Sequence, residues 1–139
     1  MFLLDTNVIS ELREPRSRPA DQHVLRWARS VPPNALYLSV VSVLELELGM
    51  LQIDRRDPIQ GQILRVWIEG KIIHRFAGRV LAIDLKIARR CAALHVPDPR
   101  SERDAYIAAT ALVHNMTVVT RNTADFAPTG VPTLNPWEA

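Results

Sequence analysis

Short apolar runs that end abruptly in polar residues alternate along this chain with longer stretches whose apolar residues recur three and four apart. Phe2-Leu3-Leu4 is the first such run, closed by Asp5 and followed by Ile9 and Leu12 at helical spacing. A short apolar run bounded by turn residues is how a strand buried on both faces reads, and the three-residue spacing is the mark of an amphipathic helix. The same alternation predicts strands at 36–41, 80–83 and 117–119, and a short edge strand within 131–136, where prolines are tolerated. Helical spacing covers 21–30, where Pro32 and Pro33 stop it, then a helix from about Val43, another over 59–74, a third after Asp84, and a last one over 101–115. Arg13 to Ala20, with two prolines and three arginines, reads as an exposed loop. Alternating strand and helix patterns predict an α/β layer fold, with a central, mostly parallel sheet of four to five strands and helices on both faces. At 139 residues the chain is expected to form a single domain, 1–139.

Composition narrows the chemistry. The lone Cys91 sits among Ile87, Ala88 and Leu94 and excludes both an internal disulfide and a multi-cysteine zinc site, so core packing is its expected role. His23, His74, His95 and His114 are scattered and form no short-spaced metal pair. No run of eighteen uncharged apolar residues is present, and no export signal is visible, so no membrane partner is expected and cytoplasm is the expected location. A formal charge of +2 does not diagnose nucleic-acid binding. The cations are nearly all arginine, however, and Arg13, Arg16, Arg18, Arg55, Arg56, Arg100, Arg103 and Arg121 can line a phosphate-binding groove as well as a solvated surface. Dinucleotide, Walker and Gly-x-Ser-x-Gly motifs are all missing.

The carboxylates carry the functional signal. Asp5 stands at a predicted strand end, where ligands of open α/β sheets bind, although it or Thr6 can equally cap the next helix. Glu45 lies three residues after Ser42, the spacing of a capping box, while Glu47 falls about 200° away and cannot share its face. Asp84 has the position of a plain N-cap. Asp104 falls in a helix's first turn, where the dipole favours an acid whatever its task, and Asp125 follows the fourth strand. In a parallel sheet Asp5, Glu45, Asp104 and Asp125 can converge on one pocket. Four carboxylates at contact distance must take up protons or share a counter-charge, and an all-oxygen set favours Mg²⁺ or Mn²⁺. Such an ion suits phosphodiester hydrolysis.

Four blocks then become recognisable in order: Leu4-Asp-Thr-Asn-Val-Ile-Ser10, Ser39-Val-Val-Ser-Val-Leu-Glu-Leu-Glu-Leu-Gly49, Asp104-Ala-Tyr-Ile-Ala-Ala-Thr-Ala111 and Val118-Val-Thr-Arg-Asn-Thr-Ala-Asp-Phe126. Together with the closing Asn135-Pro136-Trp137 they resemble the PIN-domain family, in particular its VapC and FitB type toxins from bacterial toxin-antitoxin modules. The resemblance implies a PIN-like three-layer fold and a Mg²⁺- or Mn²⁺-dependent endoribonuclease acting on RNA. It also implies a homodimer, held inactive by a small antitoxin that supplies the link to DNA. Carried over by position, Asp5, Glu45 and Asp104 match the core acids. Many relatives have the fourth acid where this chain has Asn122, so either Asp125 substitutes for it or Asp125 serves only the local turn. Thr6, Asn7, Thr120, Arg121 and Asn122 are the expected polar and substrate-facing helpers. Two other readings stay open: a catalytically weak PIN module that binds RNA or protein, and a nuclease acting on DNA.

Overall fold

The computed structural model describes residues 1–13 and 18–139; Arg16 and part of the expected 13–20 loop lie outside the described residues. Five parallel strands form the sheet: β1 (Phe2–Leu4), β2 (Leu36–Ser39), β3 (Val80–Leu81), β4 (Thr117–Val119) and β5 (Thr133–Leu134). Their order is β3-β2-β1-β4-β5, so the first strand of the sequence is the middle of the sheet. Leu4 pairs with Val119 and Val119 with Leu134, which brings Asp5, Thr120 and Asn135 out side by side at the carboxyl edge.

Successive strand residues point to opposite faces, and the core divides accordingly. Leu4, Leu38 and Val119 face one apolar layer, built from α1 (Thr6–Glu11), α2 (Gln22–Ser30), α3 (Val40–Arg56) and α4 (Pro58–Trp67), the last running on into a wider turn at Ile68–Ile73. Leu3 and Val118 face the other, where Ile107, Ala108 and Ala111 of α6 (Glu102–His114) and Phe126 of α7 (Thr123–Phe126) pack. Outside α6, α5 (Leu85–Leu94) contributes Ile87 and Cys91 against Ala105 and Ala109, so the cysteine does serve packing. The small side chains of α6 let it lie close to both neighbours.

Several boundaries differ from the pattern in the sequence. The second strand stops at Ser39, not residue 41, because Ser39 keeps an extended backbone and its hydroxyl accepts the Val41 N–H at 3.0 Å, starting α3 at Val40. The third strand is only Val80–Leu81, and Asp84 does cap α5, accepting the Ile87 N–H at 3.0 Å. In the 59–74 stretch Ile68 and Ile72 are buried, whereas Ile59, Ile63, Val66 and Ile73 stay exposed. Core packing therefore explains only the second half of that apolar pattern. Among the described residues no helix is long and apolar enough to cross a membrane.

Candidate active site

Asp5 is the floor of the site. The residue is 6 % exposed, and its N–H is anchored on the Val119 carbonyl at 2.9 Å. One carboxylate oxygen accepts the Thr6 N–H at 2.8 Å, so Asp5 itself, and not Thr6, caps α1. The other oxygen accepts the Thr120 hydroxyl at 2.8 Å and the Asn7 side-chain amide at 3.3 Å. Thr120, fully buried, also accepts the Asn122 N–H at 3.0 Å and the Asn7 amide at 3.3 Å, while the Asn7 carbonyl oxygen accepts the Arg121 N–H at 3.3 Å. Thr120 and Asn7 thus lock the turn after β4 to the carboxylate at the end of β1. The Thr120 hydroxyl thus both stabilises the turn and orients the Asp5 carboxylate.

Glu45 enters from α3. With the cap at Ser39 and not Ser42, no capping box forms, and the glutamate is free of the helix terminus. Ser42 lies inside the helix, and among the described residues its buried hydroxyl has no hydrogen-bond partner. Glu45 instead accepts the Thr6 hydroxyl at 2.8 Å and lies 3.6 Å from the Arg103 guanidinium. Asp104, in the first turn of α6, completes the cluster. Asp5, Glu45, Asp104 and Asn122 line one open cleft of about 540 Å³, together with Thr6, Asn7, Arg121 and residues the sequence reading had not placed there: Ser10, Glu11 and Trp137. Ser10 and Glu11 were findable, since they follow Asn7 by three and four residues on α1. Trp137 was visible only as the end of the Asn-Pro-Trp motif, with no pattern to say what it faced.

Asp125 is placed differently. It is exposed on α7 and is not among the residues lining the cleft, although its charge reaches Asp5 and Asp104. Asn122 heads α7 without a side-chain capping bond and lines the cleft directly.

The carboxylates tune one another. Burial holds the Asp104 carboxyl up at about 6, with further upward pushes from Asp5, Asp125 and Glu45. Burial also raises Asp5; the hydrogen bonds from Thr120 and Thr6 oppose that rise, and the charges of Glu45 and Asp125 add to it. A site in which burial, and then the neighbouring charges, hold Asp104 and Asp5 back from ionising has room for a positive charge. Every donor is an oxygen, which suits a hard divalent cation. Among the described residues no three carboxylate, imidazole or thiol side chains already stand close enough to ligate one ion. The set therefore fits Mg²⁺, which is usually held through one or two carboxylates with water in its remaining positions, better than a cation needing a full protein cage.

A family model described as the PIN domain matches residues 2–130, and the chain belongs to this family. It is similar to the VapC ribonuclease Y4jK of Sinorhizobium fredii, 39% identical over 146 residues covering 99% of each chain. It is likewise similar to toxin FitB of Neisseria gonorrhoeae, 37% identical over 143 residues and 99% of each chain. Among solved structures, FitAcB from Neisseria gonorrhoeae superimposes with a TM-score of 0.89 at 36% identity, covering 100% of both chains. The three-layer parallel architecture expected from the sequence is that of the PIN fold. PIN nucleases generally use divalent metal ions.

Proposed function

We propose that this chain is the toxin of a toxin-antitoxin pair and acts as a Mg²⁺- or Mn²⁺-dependent endoribonuclease. The observation that carries the reading is the convergence of Asp5, Glu45 and Asp104 from three separate elements on one open cleft. The full-length likeness to a protein named as a ribonuclease and to another named as a toxin supports it. Asp5, Glu45 and Asp104 would hold the metal, with Asp125 contributing charge from outside the cleft. When bound, the ion supplies activation of water and stabilisation of charge on the phosphoryl oxygens.

The chain's own residues do the positioning. Thr120 and Asn7 fix the Asp5 carboxylate in one orientation, and Thr6 fixes Glu45, so neither acid needs to reorganise when substrate arrives. Arg103 beside Glu45 moderates repulsion between the acid cluster and an incoming phosphodiester. The chain is proposed to work as one domain, as a homodimer in the cytoplasm, and to be silenced by a small antitoxin that provides any contact with DNA. A similar structure titled as a toxin-antitoxin complex from Klebsiella pneumoniae supports that partnership.

The test is cleavage of structured RNA by the purified protein. Cutting in Mg²⁺ that EDTA abolishes and that falls at least ~100-fold in Asp5→Asn is expected. Activity that persists in EDTA overturns the metal-dependent reading. Cleavage of DNA with RNA left intact favours a DNA nuclease, and binding without cleavage favours a catalytically weak module.

A further inference from the structure

The acid cleft has one wall of opposite character. The Arg121 guanidinium lies over the Trp137 ring, 5.1 Å from its centroid, and both residues line the cleft that Asp5, Glu45 and Asp104 share. Arg121 is exposed, and among the described residues no carboxylate forms an ion pair with it. Arg103 differs in that Glu45 already occupies it.

The stack is held from several directions. The Arg121 N–H is tied to Asn7, one residue beyond the fully buried Thr120. Trp137 rides on a short turn, Pro136–Glu138, whose buried Pro136 starts it and whose Asn135 side chain accepts the Trp137 N–H at 2.9 Å. Thr120 N–H bonds to the Leu134 carbonyl at 3.0 Å, so the strand leading into that turn is fastened to the strand leading into the site. Trp137 is partly buried against the core and lines the cleft with what remains exposed.

A fixed aromatic face beside an unpaired guanidinium is the arrangement that takes an unpaired base and its phosphate. It also answers an electrostatic problem, because a cleft lined with carboxylates repels a polyanion unless a cation stands at its lip. We infer that Arg121 and Trp137 form a nucleotide subsite of the cleft, in which the Arg121 guanidinium leaves the Trp137 ring to bind a phosphate and an unpaired base next to the reacting phosphodiester takes its place on the ring. This rests on RNA being the substrate and adds that the strand must be single-stranded at that position. A base held in a duplex cannot leave its stack to reach the ring without the cost of unpairing.

Binding separates this inference from the cleavage reading, because it can be measured in EDTA, where nothing is cut. The probe is a fluorescein-labelled single-stranded RNA of about ten nucleotides, followed by anisotropy at low salt, with a duplex of the same sequence beside it. Trp137→Leu, which keeps an apolar side chain against the core, and Arg121→Gln should each weaken single-strand binding about tenfold, within the range for a lost stack. Duplex binding should change little in Trp137→Leu. Arg121→Gln should also lessen the slope of log affinity against log salt by about 0.7, one phosphate contact on a single strand. An abasic nucleotide walked along the probe should cost the wild type about tenfold at one position and cost Trp137→Leu nothing further there. Wild-type affinity in both variants, or an abasic penalty undiminished in Trp137→Leu, overturns the subsite. So does a loss shared equally by single strand and duplex, which would make the stack a fastening of the tail alone. Single-strand binding with the expected pattern but no cleavage in Mg²⁺ would leave the subsite standing and remove the nuclease.

Discussion

Asp104 shows what a single side chain contributes and what it costs. Its carboxyl is raised from 3.8 to about 6, mainly by burial and then by Asp5, Asp125 and Glu45. Between those values the native chain holds a proton that the unfolded chain has already lost. This residue's contribution to stability therefore falls as pH rises from about 4 through about 6 and stays low at neutrality. Asp104→Asn should accordingly stabilise the metal-free protein at pH 7 by about 1 kcal/mol once solvent screening is allowed for, near 3 °C in Tm, and by much less at pH 4. Thermal melts at the two pH values check this, and an equal effect at both would deny the shift. Asp5 and Asp104 were legible as candidates because position and residue type agreed. Glu45 was not separable from a capping glutamate, since Ser39 and Ser42 both precede it and only the strand's true end decides which serine caps. Asp125 could not be told from Asn122 because both closely follow β4; Asn122, just before α7, lines the cleft, and Asp125, within α7, does not.

At the scale of elements, α3, which carries Glu45, packs closely on α4. Gly61 of α4 lies against Asp54 of α3, and a β-carbon added at Gly61 would stand 2.5 Å from the Asp54 Cα. No rotamer relieves a contact with backbone, so the two helices would have to part. Gly61→Ala should cost about 1–3 kcal/mol in urea unfolding, against the few tenths or better that alanine ordinarily gains in a helix. A neutral or stabilising effect would contradict that packing. Because α3 also carries Glu45, the same variant should loosen the Thr6 to Glu45 hydrogen bond. Nothing in the local sequence marks Gly61 as a contact, since a glycine inside a helical pattern reads only as a weakness. Strand order was hidden for the same kind of reason. Each strand is two to four residues long, and their apolar runs do not say which neighbours they choose.

Across the whole molecule, the sequence of blocks mattered more than any block. The five parallel strands turn separate segments into one edge, where Asp5, Thr120 and Asn135 emerge in register and α3 and α6 bring Glu45 and Asp104 alongside. The alternating pattern was enough to read the α/β layers, and the four motifs in order were enough to read the family. The closing Asn135-Pro136-Trp137 was visible as a motif, but its partner Arg121 is sixteen positions earlier in the chain, and only the pairing of β4 with β5 joins them. On the proposed function, the acids at this edge bind one divalent cation together. Calorimetric titration with Mn²⁺ tests it most directly, on the wild type, Asp5→Asn and Asp104→Asn. Saturable binding by the wild type and affinity at least ~10-fold weaker in each variant are expected; no binding by the wild type at millimolar Mn²⁺, or equal binding by all three, would rule out a shared metal site.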